Sequence, residues 1–518
     1  MSKKEQNVTE KPEKVLTKYD LKMQRREEEK KRAKREKLIG NITGVVIVAA
    51  VFCLVASFPI RTYLTLNGTY IKVGNESVNK VEFDYQYNLT KNNYISQNGY
   101  YLSMFGLDLS GDISGQMYSD TLTWQDYFEQ LTVESIAKNK ALRDQAGEAG
   151  FTYDTADDYQ KFLDSVKEGA KEAGITEKEF VRQCYGELAT IDRIRDYVKD
   201  DLFVSAFYQK VAEEKLPTEE EINTYYDKNP DQYDSVDYIL STVSAVLPTE
   251  PTELADPVEE GSETGEDETY TPSQAEIDKA MEDAFYEAQT VLEKIDTEGE
   301  LKENMKYSSM ITVVRDWAFD GDRKAGDTAC LENTTGRCYY VVKFVKRYRN
   351  ETTTRDARIV MTEDGNAQAI LDEWKSGEAT EATFAEIADK YNDAAVTSAE
   401  GGLYEGLLAS GVPTGMDTWL FEEGRKAGDT TVIPPATEED EMSYVVYFVG
   451  EGDPEWKISI RDTLQSEALT EYLSEISKAY EVSDSKGNLK YLEIQASESA
   501  AKEASESAAA ESEESSAE

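Results

Sequence analysis

The 518-residue sequence contains no histidine, and this absence removes whole classes of chemistry. Ser-His and Cys-His nucleophiles need an imidazole base, so hydrolases of those types are excluded, as are zinc sites built on histidine. The four cysteines include no Cys-x-x-Cys pair, which argues against a thiol redox centre. Cys330 and Cys338 flank a turn and could form a disulfide, but their spacing alone leaves this open.

Basic residues are scarce, at 56 Lys and Arg against 103 Asp and Glu, and the net charge of -47 argues against nucleic acid as a partner. Residues 1–37 are the exception, with 14 Lys and Arg against 8 Asp and Glu. The uncharged stretch Leu38–Ile60 follows them and is long enough to cross a bilayer as a helix. A cleaved signal peptide would have a shorter leader and a shorter apolar stretch. The sequence therefore predicts a single-pass protein of the bacterial plasma membrane, with its amino terminus cytoplasmic and its bulk extracytoplasmic.

An internal repeat is the most informative feature that is present. The segment Trp317–Thr328, with sequence WAFDGDRKAGDT, recurs as Trp419–Thr430, with sequence WLFEEGRKAGDT. A strand-like run follows each segment, at Tyr340–Val345 and at Tyr444–Val449. The chain therefore holds two copies of one domain of roughly a hundred residues, and their shared order of strand, helix and strand predicts an α+β unit.

Helical periodicity dominates between the uncharged stretch and the first copy. The first copy is interrupted by Pro248–Pro272, which is dense in Glu, Thr, Pro and Gly. Such a composition cannot bury enough apolar surface to fold, so it predicts a disordered insertion. The carboxyl-terminal tail of Ala, Ser and Glu is predicted to be disordered for the same reason.

Six features of the second copy follow one another along the chain. They are the opening strand Ala357–Met361, the helix Phe384–Tyr391, the Gly401-Gly402 turn, the segment Lys426–Thr430, the dipeptide Ile433-Pro434 and the closing strand Tyr444–Val449. This order is typical of parvulin-type peptidyl-prolyl isomerases. The second copy therefore resembles a parvulin-type domain, and the first copy resembles a degenerate version of it. In addition, Val73–Phe83 and Leu216–Tyr233 are similar to the helical chaperone module of SurA- and PrsA-type foldases.

The resemblance implies an α+β fold class with a single transmembrane helix, a mostly helical chaperone module and two parvulin-like domains. The implied segments are a basic cytoplasmic segment (1–37), the transmembrane helix (38–60), the chaperone module (61–233), a degenerate parvulin-like domain (234–350) with a disordered insertion (248–272), a parvulin-like domain (351–455), a helix returning to the chaperone module (456–490) and a disordered acidic tail (491–518).

Parvulins carry one histidine on the first strand and one on the last, and a Cys or Asp between them. By resemblance, these three positions fall on Arg358, Tyr444 and Ala394, so the catalytic residues are unknown. The counterparts of Arg358 and Tyr444 in the first copy are Tyr238 and Tyr340.

The family's apolar wall is better preserved than its polar centre. The resemblance places substrate-binding residues at Met416, Trp419 and Phe421. No cofactor or metal is expected, because rotating an X-Pro amide requires neither.

The implied function is that of a membrane-anchored extracytoplasmic protein-folding factor, a chaperone of the peptidyl-prolyl isomerase family. Its partners would be unfolded or proline-containing exported polypeptides and, through Leu38–Ile60, the membrane, with no nucleic acid. The loss of the histidines leaves isomerase activity open. The alternative is a catalytically inactive parvulin-like scaffold that binds one dedicated cell-envelope partner.

Overall fold

The computed structural model describes residues 61–102, 104–254, 270–363, 365–392, 399–437, 442–499 and 502. The predicted basic segment and transmembrane helix, the middle of the predicted insertion, Ala394 and most of the acidic tail lie outside these residues. The chain forms two compact units. The first comprises the described residues up to Val211 and those from Glu471 onwards, and the second comprises Ala212–Thr470.

The first unit combines a small antiparallel sheet with several helices. Its elements are β1 (Thr69–Val73), β2 (Glu76–Asn79), β11 (Val482–Ser483), α1 (Lys80–Leu102), α2 (Trp124–Glu148), α3 (Ala156–Glu172), α4 (Glu177–Tyr185) and α5 (Ile191–Glu214), of which the last three residues belong to the second unit. The strand order is β11-β1-β2. Val73 of β1 lies opposite Val482 of β11, so a late strand completes a sheet that begins near residue 70.

Helix α2 shows how the local sequence sets these elements. Thr123 and Asp126 form a capping box in which each side chain accepts from the backbone of the other, which satisfies two N–H groups at the start of the helix. Trp124 and Phe128, one helical turn apart, then point inward and are fully buried. They pack with Leu102 and Leu107 in an apolar cluster at the end of α1.

A buried carboxyl group joins three helices of the first unit. The Gln86 amide on α1 donates to both Asp201 oxygens on α5, at 2.9 Å each, and Asn139 on α2 donates to Oδ1 at 3.3 Å. Burial raises the pKa of Asp201 from 3.8 to about 6, because the hydrogen bonds offset only part of the desolvation. The folded protein therefore binds this proton more tightly than the unfolded chain does.

This raised pKa predicts that the first unit gains stability in mild acid. The Asp201 contribution favours folding fully below a pH near 4 and is lost as the pH rises through 6, a change of about 2–3 kcal/mol. Asp201→Asn should abolish that change, whereas Asp196→Asn, at an exposed position on the same helix, should leave it intact. The measurement is hydrogen exchange of α1 and α5 amides, compared between variant and wild type at one pH near 4 and at one pH above 6. If the stability difference between variant and wild type were the same at both pH values, the prediction would be wrong.

The second unit contains two four-stranded antiparallel sheets of equivalent order, β4-β3-β6-β5 in the first copy and β8-β7-β10-β9 in the second. In each, the opening and closing strands of the copy pair in the centre. The strands are β3 (Ser235–Ser244), β4 (Glu300–Lys306), β5 (Thr328–Asn333), β6 (Cys338–Tyr348), β7 (Thr353–Thr362), β8 (Leu403–Leu407), β9 (Thr430–Ile433) and β10 (Ser443–Pro454).

Helices cover both faces of each sheet in the second unit. The helices are α6 (Glu219–Lys228), α7 (Pro230–Tyr233), α8 (Gln274–Leu292), α9 (Ile295–Glu298), α10 (Thr312–Ala318), α11 (Ala367–Ser376), α12 (Glu381–Tyr391), α13 (Met416–Leu420) and α14 (Glu455–Ser477), whose last turns belong to the first unit. In the second copy, α11 and α12 pack on one face of the sheet and α13 packs on the other. In the first copy, α8 and α10 take these places.

The ends of the predicted insertion are held against helix α8. The Glu276 carboxylate accepts from the Thr252 hydroxyl at 2.6 Å and from the Tyr270 hydroxyl at 2.5 Å. It also completes the capping box with Ser273, the residue before the helix. Residues 255–269 between these anchors lie outside the described part of the chain.

The fold class predicted from the sequence is wrong in its transmembrane helix, and the single-pass plasma-membrane localisation is wrong with it. Among the described residues, no helix is both long and apolar enough to cross a bilayer. The long helices fail because they carry several charged side chains, and these are costly in hydrocarbon. The predicted span Leu38–Ile60 lies outside the described residues. The described residues therefore have an α+β fold with helices and three antiparallel sheets.

Cys330 and Cys338 are both free thiols. Cys330 lies opposite Val341 and Cys338 lies opposite Asn333 on the paired strands β5 and β6. Because Val341 and Cys338 are three residues apart, the two cysteines point to opposite faces of the sheet. The strand register thus shows that Cys330 and Cys338 do not form a disulfide with each other.

Candidate functional site

The repeated segment forms the same arginine–tryptophan contact in both copies. In the second copy, the Arg425 guanidinium lies 3.9 Å from the centre of the Trp419 ring, and its Nε donates to the Trp419 carbonyl at 2.9 Å. In the first copy, Arg323 lies 4.2 Å from the Trp317 ring and donates to its carbonyl at 3.0 Å. The arginine thus satisfies a carbonyl at the end of a short helix and covers an aromatic face.

The Lys-Ala-Gly-Asp part of the repeat is a turn that leads into a strand. The Asp429 carboxylate accepts from the Lys426 backbone N–H at 2.9 Å, and Asp327 does the same with Lys324. Gly428 has φ of +94°, which glycine adopts without strain. Both copies therefore keep these residues because the backbone geometry requires them.

Exchanging the arginine tests whether the repeated segment is structural. We expect Arg425→Met to destabilise the second copy by about 1–3 kcal/mol, because the ring contact and the charged hydrogen bond are lost while the apolar stem remains. Arg323→Met should cost the first copy a similar amount. Hydrogen exchange of β10 and β6 amides measures both changes. A variant that kept its protection but lost polypeptide binding would instead make the segment functional.

Strand register separates two residues that the sequence placed together. Arg358 lies opposite Tyr447, and Tyr444 lies opposite Met361. Since side chains alternate along a strand, Arg358 and Tyr444 project from opposite faces of the sheet. The third position of the predicted centre, Ala394, lies outside the described residues, and the sheet separates the other two.

The Arg358 side chain lies on the face of the sheet that α12 covers. Its Nη1 donates to the Gly401 carbonyl at 2.9 Å, and its Nε donates to Glu381 at 3.1 Å. On the same face, burial raises the pKa of Tyr447, and the Glu381 carboxylate adds to the effect. These contacts give Arg358 a role in positioning the Gly401-Gly402 turn.

The other face carries the predicted substrate-binding residues in a continuous apolar layer. Met416 is fully buried, and so is Leu420 one turn later on α13; both pack on Ile359 and Val446 of the two central strands. Leu420 was missed, although its four-residue spacing from Met416 was a readable signal for a shared helix face. The base of the site is therefore filled by the protein's own side chains.

Around this base lies a set of half-buried side chains, the apolar rim. Trp419 and Phe421 belong to it, each with one ring face under an arginine: Arg425 on Trp419, and Arg355 at 5.0 Å on Phe421. The rim consists of Met361, Tyr404, Leu407, Val412, Trp419, Phe421 and Tyr444.

The first copy fills the equivalent layer differently. Tyr238 lies opposite Phe344, as Ala357 lies opposite Phe448, so the counterpart of Tyr238 is Ala357 and not Arg358. Tyr238 is buried, and its pKa is raised by that burial. Tyr238 shares its cluster with the small Ala318, which stands at the position that Leu420 holds in the second copy. The second copy thus has the large residue on the helix (Leu420) and the small one on the strand (Ala357). The first copy has the small residue on the helix (Ala318) and the large one on the strand (Tyr238).

Comparison with known proteins gives a weak result. No protein-family model matches the sequence, and no curated protein matches it. Among solved structures, the chain is similar to foldase protein PrsA from Streptococcus pneumoniae, at 13% identity, a TM-score of 0.17, and coverage of 71% of this chain and 90% of that one. It is similar to foldase protein PrsA from Lactococcus lactis at 13% identity and a TM-score of 0.17, over 62% of this chain and 93% of that one. The similarity to PrsA-type foldases is therefore weak and concerns the fold only.

The chemistry available at the apolar layer is that of contact and exclusion of water. Tyr404 and Tyr444 contribute hydroxyl groups to the rim, and no histidine exists in the chain to act as a base. The charged groups beside the rim, Arg355 and Arg425, are held by backbone carbonyls and aromatic rings. The arrangement is suited to holding an apolar segment.

Proposed function

We propose that this chain is a protein-folding factor that holds unfolded polypeptides, with its second copy acting as a parvulin-like binding arm. The observation that carries the proposal is the apolar rim over a filled base in that copy. Half-buried aromatic and aliphatic side chains bind apolar segments of many sequences by area, without demanding one hydrogen-bonding pattern. In this arrangement Met416 supports the site from beneath, while Trp419 and Phe421 border the bound segment.

The same geometry favours holding over catalysis. An isomerase must favour the twisted amide over the planar one, and preorganised polar groups supply much of that preference. Arg358 faces away from the rim, and the family's two histidine positions contain no histidine. We therefore propose that the second copy binds prolyl segments with little acceleration of their rotation.

Suppression of aggregation tests the holding function. The full chain, added to a chemically unfolded protein on dilution from denaturant, should delay light scattering in proportion to its concentration. An equal mass of an inert acidic protein serves as the control, because the net charge of −47 could act nonspecifically. No delay at any ratio would reject the proposal.

A prolyl-peptide isomerisation assay separates holding from catalysis. We expect the rate with the full chain to stay within about twofold of the rate in buffer, since Arg358 faces the other side of the sheet and the chain contains no histidine. A histidine-containing parvulin should accelerate the same peptide. Acceleration of tenfold or more by this chain would make it an enzyme.

The second candidate is an inactive scaffold for one dedicated partner. The residues that favour it are Trp419 and Phe421, whose arginine-covered faces leave less room for varied clients. A pull-down discriminates: a holding factor retains many proteins in small amounts, whereas a scaffold retains one protein in stoichiometric amount.

A further inference from the structure

A second apolar surface lies in the first unit, in the loop between α1 and α2. Five large apolar side chains of this loop are exposed: Met104 at 77%, Phe105 at 69%, Leu109 at 52%, Met117 at 53% and Tyr118 at 42%. They are called here the 104–118 surface. Large exposed apolar side chains grouped in one segment mark an interaction site more often than a solvated loop.

The loop is ordered from inside, which fixes these side chains outward. Leu107 is buried against Trp124 and Phe128, and Ile113 packs on the same cluster. The Gln116 side chain closes the loop, because its carbonyl accepts from the Asp108 N–H at 2.7 Å and its amide donates to the Asp108 carbonyl at 2.9 Å. The loop therefore has an apolar core of its own, and the exposed residues are additional to it.

Aromatic stacking extends the surface onto α2. The Tyr118 ring stacks on the Tyr127 ring, with centroids 4.0 Å apart and planes 13° from parallel. Its edge also meets Trp124, at 4.9 Å. Tyr118 thus presents a ring whose orientation is fixed before any partner arrives, which lowers the entropy lost on binding.

The charged side chains of the loop itself are all acidic. Between Lys91 and Lys138 the sequence contains no Lys or Arg, whereas Asp108, Asp112 and Asp120 lie within the loop itself. Hydrogen bonds from Ser110 and Ser114 lower the pKa of Asp108 and Asp112, so both remain ionised at neutral pH. An apolar surface bordered by carboxylates favours a partner that is both apolar and cationic.

We propose that the 104–118 surface docks cationic, apolar segments of unfolded polypeptides. This deepens the proposed function and rests on it: it names the surface of the first unit that takes the client and the chemistry of the client segment. A second copy of this chain fits less well, since it would set aspartates against aspartates in a protein with a net charge of −47.

The test measures binding of two labelled, unstructured peptides to the full chain. One peptide is rich in Phe, Leu and Lys, and its matched partner has Glu in place of Lys. One variant combines Met104→Ser, Phe105→Ser and Met117→Ser, and a second combines Asp108→Asn, Asp112→Asn and Asp120→Asn. The control variant, Val246→Ser with Tyr286→Ser, removes exposed apolar side chains from the second unit.

We expect the Lys peptide to bind wild type about tenfold more tightly than the Glu peptide, with an affinity that falls as salt rises. The serine variant should weaken the Lys peptide about tenfold, and the control variant should leave it unchanged. The asparagine variant should remove most of the preference for Lys over Glu. Hydrogen exchange should show protection of residues 104–118 when the Lys peptide is bound.

Each other outcome overturns the inference. Binding that survives the serine variant would reject the 104–118 surface while leaving the folding-factor function in place. Equal binding of both peptides would reject the cationic preference. No binding of either peptide or of an unfolded protein would reject the surface and the function together. Self-association that the serine variant abolishes, without peptide binding, would identify a second copy as the occupant.

Discussion

Gly402→Ala is expected to destabilise the second copy by about 3 kcal/mol. Gly402 has φ of +63°, and a methyl group there would lie 2.5 Å from the Ile359 carbonyl oxygen and 2.8 Å from the Ala388 Cβ. That carbonyl is backbone of a central strand and also accepts from the Asn392 amide at 3.0 Å, so it cannot retreat without cost. The variant should lose hydrogen-exchange protection across β7 and β10.

Two matched glycines separate the causes of that loss. Gly365 has φ of +70° and open space around its Cβ position, so Gly365→Ala should show the backbone strain alone, about 1 kcal/mol. Gly411 has open space and no positive φ, so Gly411→Ala should be neutral or slightly stabilising. If Gly402→Ala cost no more than Gly365→Ala, the close packing of the Gly401-Gly402 turn on β7 would be refuted.

Arg347→Met is expected to destabilise the first copy by about 3–5 kcal/mol, because it leaves a carboxylate in a poorly solvated place without its cationic partner. The Arg347 guanidinium bonds Asp234 at 2.7 Å and Asp231 at 2.6 Å, and it donates to the Phe319 carbonyl at 3.2 Å. The Asp234 side chain is only 10% exposed. Hydrogen exchange of β3 and β6 amides should report the loss.

A double variant tests this explanation of the Arg347 effect. Asp234→Asn on the Arg347→Met background should recover part of the lost stability, because the stranded charge is removed. Lys279→Met, which breaks only half-exposed ion pairs on α8, should leave the protection unchanged. A double variant less stable than Arg347→Met alone would show that the loss comes from packing around the guanidinium.

The repeat was readable from the sequence because its interactions are local. An arginine that stacks on a tryptophan six residues earlier and a glycine that must take a positive φ both require particular residue types at fixed spacing. The same holds for the aspartate that caps the Lys426 N–H three residues earlier. These constraints are visible in the amino-acid sequence of both copies. They identify a structural unit but not an activity.

Strand register was not readable, and the predicted site depends on it. A shift of one residue moves a side chain to the other face, which is why Arg358 was set beside Tyr444 although the sheet separates them. The same limit applies to Cys330 and Cys338, and to Val482, whose partner Val73 lies some four hundred residues earlier. Pairing at that distance leaves no mark in local periodicity.

The sequence also did not predict which side chains of the apolar layer are buried and which remain accessible. Trp419 and Phe421 stood out as aromatic residues in a family-like position, yet each gives one ring face to an arginine. Meanwhile, the buried pair Met416 and Leu420 forms the base that the aromatic rim surrounds. Whether a side chain is buried or remains accessible to a ligand depends on packing, and packing is set by residues distant in sequence.

Binding of the full chain to a permanently unfolded protein tests the central claim most directly. The probe is a labelled protein whose disulfides have been reduced and alkylated, and its native form is the control. The account predicts saturable binding of the unfolded form, measured by fluorescence anisotropy, and no binding of the native form. Equal binding of both forms, or of neither, would contradict the claim that this chain holds unfolded polypeptides.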